Sequence, residues 1–271
     1  LEECKALAVG YGLEVFQEDS AFKWGLGPVL ERFKDMGWWL RQVRKLSARE
    51  VEKTALSMGA IHKRGQVYCS DYAVKKRLEQ KKRNNKMLQG FEAINNEGGV
   101  YTLAELSELS VSNPVIRRSE LMVRLRGFEE VADTYDFTAL FYTLTCPSKY
   151  HPSSEKYSGA TPREANEYLS RVWARIRAQF KRDGIEVFGF RIAEPHKDGC
   201  PHWHLLLFAA PEAQESITDT FTKHGLAEDG DEKGARKHRV TLEVIDRRKG
   251  SAVGYIAKYI CKNIDGEYQD E

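Results

Sequence analysis

From residue 1 to about residue 111, apolar positions recur at spacings of three and four, the repeat of helices that bury one stripe. Turn signals interrupt it at Gly25-Leu26-Gly27-Pro28 and at Glu97-Gly98-Gly99. This stretch is predicted to be a small, mainly helical region. Another helix is expected over 113–133, opened by Asn113-Pro114. Beyond it the repeat changes. Residues 137–145 (Phe-Thr-Ala-Leu-Phe-Tyr-Thr-Leu-Thr) are rich in β-branched and aromatic side chains and read as a buried strand ending at Cys146-Pro147. Thr161-Pro162-Arg163-Glu164 is a helix start, with Thr161 as N-cap, Pro162 at the first helical position and Glu164 three residues on. That helix should run to about Arg182 and stop at Asp183-Gly184. Strands at 186–193 and 202–208 follow, then a helix, a strand at 239–245, and a last helix over 251–263. The order predicts an α+β fold, an antiparallel sheet interleaved with helices.

Composition adds limits. A chain of 271 residues with 41% hydrophobic content can build a packed core. No apolar run approaches the roughly 20 residues of a membrane span, and no charged segment followed by an apolar one marks a secretory signal, so a cytoplasmic protein is expected. The five cysteines (Cys4, Cys69, Cys146, Cys200, Cys261) are scattered, form no C-x-x-C pair, and read as reduced thiols. The chain starts at Leu1, not Met, and stops shortly after an apolar helix, which reads as a piece of a longer polypeptide.

The net charge is only +2, from 42 basic and 40 acidic residues, so only local clustering can indicate a nucleic-acid surface. Lys75, Lys76, Arg77, Lys81, Lys82, Arg83 and Lys86 would line much of one helix, and Arg117, Arg118, Arg124 and Arg126 lie on the helix expected over 113–133. Such a run is either a solvated surface or a set of DNA phosphate contacts.

Pro201-His202-Trp203-His204 carries the most chemistry. Alternation along a strand turns His202 and His204 to one face and Trp203 to the other. If the hairpin through Pro195-His196-Lys197-Asp198-Gly199-Cys200 folds symmetrically about Asp198, Glu194 stands opposite His202 and joins that face. Two imidazoles and a carboxylate with open positions suit a divalent ion that also binds a substrate oxygen. Zinc fits the ligand types; magnesium or manganese is favoured if the substrate is a phosphodiester.

In the last helix Tyr255, Lys258, Tyr259 and Lys262 fall at i, i+3, i+4 and i+7, with Val253, Ala257, Ile260 and Ile264 on the opposite side. Alone, this is an amphipathic helix with packing tyrosines. Beside a metal, a phenol of ordinary pKa about 10 becomes a candidate nucleophile, since a nearby cation favours the phenolate.

The chain resembles the phage replication gene A proteins, rolling-circle initiators of the HUH endonuclease superfamily. The likeness rests on Phe141-Tyr142-Thr143-Leu144-Thr145, on the segment from Glu194 to His204, and on Gly254-Tyr255-Ile256-Ala257-Lys258-Tyr259-Ile260. Arg117-Arg118-Ser119-Glu120-Leu121-Met122 and Thr161-Pro162-Arg163-Glu164 support it. It covers roughly 113–266, which divides the chain into a helical region, 1–112, with a DNA-binding role in view, and a nicking and joining domain, 113–271. The resemblance implies a five-stranded antiparallel sheet with flanking helices. It also implies origin-specific cutting of single-stranded DNA, a 5′-phosphotyrosyl intermediate, and a free 3′-hydroxyl that primes a host polymerase beside a host replicative helicase. Carried over residue by residue, Glu194, His202 and His204 are ligands of Mg2+ or Mn2+, Tyr255 and Tyr259 are nucleophiles, and Lys258 contacts the phosphate or leaving group. Lys262, on the same front, is grouped with the DNA-binding residues. Lys197 stands where many relatives have histidine, outside the ligand set. A hydrolase in which water attacks and a non-catalytic origin-binding module are the alternatives.

Overall fold

A computed structural model of the chain describes residues 2–12, 26–61, 66, 69–246, 248 and 250–264. Its contacts divide the chain into two compact units, Leu1–Arg77 and Leu78–Glu271.

The first unit is helical: α1 (Glu2–Gly10), α2 (Leu26–Lys34), α3 (Met36–Ser57) and the start of α4 (Asp71–Gln89). Asp35 caps α3 by accepting from the Gly37 amide. The small core is aromatic, with the rings of Phe33, Trp38 and Trp39 mutually 5.1 to 5.7 Å apart beside buried Ala8. The turn read at residues 25–28 falls inside α2 from Leu26 onward, while Gly25 lies outside the described residues. A proline in a first helical turn loses no hydrogen bond, so Pro28 permits that start. Helix α4 buries no residue along its length.

The second unit opens with a feature the helical pattern does not predict. Strands β1 (Glu92–Ile94) and β2 (Val100–Thr102) form an antiparallel hairpin. Its turn is tied by Asn95, whose side chain accepts from the amides of Glu97 (3.0 Å) and Gly99 (2.7 Å), and Gly98 supplies a φ of 82°. Thr102 and Glu105 form a capping box that starts α5 (Leu103–Glu108).

Helix α6 (Pro114–Thr134) is capped by Asn113, and β3 (Thr138–Leu144) follows. Helix α7 (Pro162–Asp183) begins with the expected Thr161–Glu164 capping box and ends at Gly184 with φ 68°. Strands β4 (Phe188–Pro195) and β5 (Pro201–Ala209) make the hairpin, followed by α8 (Gln214–Gly225), α9 (Ala235–His238), β6 (Val240–Val244) and α10 (Ala252–Ile264).

The sheet is antiparallel with order β4-β5-β3-β6. It has four strands among the described residues, not the five implied by the family resemblance. The reason lies in the sequence: only four β-rich segments follow Asp136, each has become a strand, and α10 follows β6 directly.

Alternation gives the sheet two unlike faces. Leu140, Tyr142, Leu144, Trp203, Leu205 and Leu207 pack with Leu169, Val172, Ile176 and Phe180 of α7 and with Ile217 and Phe221 of α8. The opposite face turns Ala139, Phe141, Leu206 and Phe208 toward Leu125 and Ala132 of α6 and Val253, Ile256 and Ile260 of α10. No helix among the described residues is long and apolar enough to cross a membrane, and the described cysteines are free thiols.

Candidate metal centre and tyrosine helix

The β4-β5 hairpin pairs Glu194 with His202 and Ile192 with His204, the register expected from symmetry about Asp198. The 196–199 turn is held by two hydrogen bonds, from the His196 amide to the Cys200 carbonyl (2.7 Å) and from the Gly199 amide to the His196 carbonyl (2.8 Å). Asp198 locks the turn from inside, accepting from the Cys200 amide (3.1 Å), Ser153 (2.7 Å) and His151 (3.0 Å). Burial opposes charge on both members of the His151–Asp198 pair. Their mutual hydrogen bond prevails, raising His151 to about 10 and holding Asp198 below the usual carboxylate range.

Glu194, His202 and His204 are each at least nine-tenths buried, an unusual position for such groups without a further role. The imidazole Nε2 atoms stand 2.9 Å apart, and Glu194 Oε2 lies 3.1 Å from His204 Nε2 and 3.5 Å from His202 Nε2. Adjacent ligands about 2.1 Å from an octahedral ion are separated by roughly 3.0 Å, and tetrahedral ones by roughly 3.4 Å. The observed triangle has that size. The donor set therefore fits a divalent ion, and among the described residues it is the group of this kind that converges. His202 Nδ1 is buried and makes no hydrogen bond, whereas His204 Nδ1 is 3.0 Å from Thr143 Oγ1, which turns its Nε2 toward the other two donors. Burial tends to neutralise Glu194, but hydrogen bonds to His202 and His204 and the charge of Lys262 overcome it and keep the carboxyl well below its ordinary range. Burial also lowers His204, favouring the neutral imidazole that a metal needs.

Helix α10 crosses this face. Its N-terminus is fixed by Glu129 of α6, which accepts from the Ala252 amide and the Ser251 hydroxyl, both at 2.6 Å. Ala252, Val253, Ile256 and Ile260 are buried, with Ile256 taking the central place that the sequence pattern gave to Ala257. The Tyr259 ring then stacks on His204, centroids 4.0 Å apart, and lies 5.9 Å from Phe141. Tyr255, a turn earlier, lies 6.3 Å from Phe141. The Lys258 ammonium stands 5.0 Å from the Tyr259 ring. Lys262 reaches the second oxygen of Glu194 at 3.4 Å, so it belongs to the buried cluster itself.

Tyr142, in the same motif strand as Phe141 and Thr143, faces the other way. It stacks on Phe221 at 4.0 Å and hydrogen-bonds Thr218, and burial pushes it up to about 12, so it takes no part in this site. The basic residues 75–86 are exposed along α4, as are Arg117, Arg124 and Arg126 on α6; Arg118 is half-buried. None of these is in the metal cluster. Sequence reasoning missed Thr143, Glu129 and the Lys262–Glu194 pair, because each joins residues distant in sequence.

Fold and site together define a class: an α+β domain with a buried Glu-His-His donor set on its sheet and a tyrosine-bearing helix laid across it. The chain belongs to the bacteriophage replication gene A protein (GPA) family, whose model matches residues 19–267. It is 44% identical to the "Probable replication protein P12" of Pseudoalteromonas phage PM2, over 85% of this chain and 37% of that protein. Identity to the "Replication gene A protein" of Escherichia phage 186 is 41%, over 89% of this chain and 36% of the relative. A "Probable replication endonuclease from prophage-like region" of Salmonella paratyphi A is 35% identical over 88% of this chain and 31% of its own length. The chain thus spans about a third of these relatives. A comparison with solved structures returns no match.

Proposed function

We propose that this chain is the nicking and joining part of a rolling-circle replication initiator, with the chemistry in residues 113–271 and the fold relationship of the HUH endonucleases. It acts on single-stranded DNA at a replication origin in the host cytoplasm. The carrying observation is the stack of Tyr259 on His204 within a buried set of metal-binding donors. Membership of the replication gene A family and the replication-endonuclease name of a relative support the same reading.

Glu194, His202 and His204 would hold Mg2+ or Mn2+. When bound, such an ion polarises the scissile phosphate and offsets charge in the transition state. The other roles fall to side chains. Thr143 fixes the tautomer and tilt of His204. Lys262 stabilises the Glu194 charge, and Lys258 lies where it can contact the phosphate or the leaving 3′ oxygen. A tyrosine hydroxyl attacks phosphorus, its proton leaves, the bond to the 3′ oxygen breaks, and the 5′ phosphate remains on the protein as a phosphotyrosine. The free 3′-hydroxyl then primes a host polymerase working with a host helicase. Two tyrosines on one helix allow a second transfer while the first link is intact, so Tyr255 and Tyr259 act in alternation. The basic residues of α4 (Lys75, Lys76, Arg77, Lys81, Lys82, Arg83) and the arginines of α6 (Arg117, Arg118, Arg124, Arg126) hold DNA through its phosphates.

The test is incubation with 3′-labelled single-stranded oligonucleotides tiling the encoding genome, with Mn2+ present, read on a denaturing gel. A labelled band shifted by the mass of the protein, lost on adding chelator, is the expected result. Labelled fragments without attached protein would point to water as the nucleophile. Binding without cutting would leave only an origin-binding module.

A further inference from the structure

The two tyrosines of α10 meet different surroundings. Tyr259 lies against a donor of the metal centre, with the Lys258 ammonium near its ring. Tyr255 meets the sheet one strand further out. Phe141 of β3, which its ring contacts, is paired in register with Glu243 of β6, so both side chains rise from the same face under α10. The Glu243 carboxylate is the charged group that acts most strongly on the Tyr255 hydroxyl. Strand β6 lies at the sheet edge and Glu243 is solvent-exposed, so a proton arriving there can pass on to water.

Among the described residues, the charged groups that act on Tyr255 are Glu243 from β6 and Asp246 just after it, the latter also paired with Arg248 at 2.9 Å. The negative charge of Glu243, with lesser contributions from burial and Asp246, raises the phenol above its ordinary value. A phenolate formed in advance is thus disfavoured at Tyr255. Its proton has to leave as the new bond forms.

Building on the nicking reading above, we propose that Glu243 is the proton acceptor for Tyr255, a catalytic residue for one of the two strand transfers and not for the other. As the Tyr255 oxygen attacks phosphorus, its proton moves to the Glu243 carboxylate and the oxygen–phosphorus bond forms. The bond to the 3′ oxygen breaks with its electron pair on that oxygen, which takes a proton from water. The hydroxide left behind removes the proton from Glu243. The two tyrosines are therefore activated by different means, Tyr255 by a carboxylate and Tyr259 by the cationic side of the site.

The experiment introduces Glu243→Gln into two backgrounds of the 271-residue chain, Tyr259→Phe, where only Tyr255 can attack, and Tyr255→Phe, where only Tyr259 can. Adduct formation on the tiled oligonucleotides with Mn2+ is timed across pH 6 to 9. General-base removal typically costs about 10²-fold or more, so the Tyr255-only chain should slow by about that factor and gain a rate that climbs with pH, while the Tyr259-only chain stays within about twofold. Glutamine preserves shape at an exposed edge position, and Glu243→Asp should restore part of the rate. Equal slowing in both backgrounds, an unchanged Tyr255 rate, or a Tyr255-only chain that forms no adduct would overturn the assignment of Glu243. Absence of any adduct with the unaltered chain would overturn the nicking reading itself.

Discussion

The two faces of the four-stranded sheet are built from alternate residues of the same strands yet follow opposite rules. Toward α7 and α8 the buried side chains of the sheet are chiefly apolar. Trp203 is 2% exposed, donates its indole N–H to Asn166 at 2.9 Å, and carries the Arg191 guanidinium 3.9 Å from its ring. Toward α6 and α10 the face begins apolar and ends, at the β4-β5 turn, in two imidazoles, a carboxylate and an ammonium. Burial of such groups is costly unless they are paired or bind an ion. Both faces bury apolar side chains, and the second also places reactive groups where water is scarce. His204 and Trp203, adjacent in sequence, stand for the two rules.

This contrast can be broken by substitution. His204→Ala should abolish cleavage and lose metal affinity, read by the oligonucleotide gel and by metal titration, while the chain still unfolds cooperatively. Normal cleavage by this variant would remove the histidine from the metal centre. Trp203→Ala should do the reverse, costing about 3–5 kcal/mol of stability by opening a large cavity, visible as a lowered melting temperature. A loss under about 1 kcal/mol would mean that Trp203 does not anchor the packing of that face. Thr143→Val keeps the shape of the side chain but removes the hydrogen bond to His204 Nδ1. Loss of such a supporting partner typically costs about 10- to 100-fold in metal affinity or activity, and an unchanged metal titration would show that His204 needs no such support. The smallest effect is expected on α4. Changing Lys81, Lys82 and Arg83 together to Gln should weaken DNA binding and flatten the log-log salt dependence by about 0.7–0.9 per lost phosphate contact. An unaltered slope would make that helix solvated surface.

The β4-β5 hairpin was legible because its signals are local: Pro195 and Pro201 flank a turn with Gly199 at φ 80°, and strand alternation does the rest. Helix α7 was legible for the same reason, from Thr161 and Glu164 at one end and Gly184 at the other. The β1-β2 hairpin was not, since strands of three residues are too short to show alternation and its turn signal fits a helix break equally well. The fifth strand came from the family resemblance and not from any residue pattern. Within the site, the Glu-His-His donors and the two tyrosines could be picked out from spacing as candidates. What surrounds them could not: Thr143, Glu129 and Glu243 come to the site through sheet register and helix packing, which no local spacing shows.

In the proposed reaction tyrosine, not water, attacks the DNA. The most direct test compares Tyr255→Phe, Tyr259→Phe and the double variant on 3′-labelled single-stranded oligonucleotides with Mn2+, resolved on one denaturing gel. A covalent protein–DNA band is expected with the unaltered chain, a weaker one with each single variant, and neither band nor cut with the double variant. Undiminished cutting by the double variant, with no covalent band in any lane, would contradict attack by tyrosine.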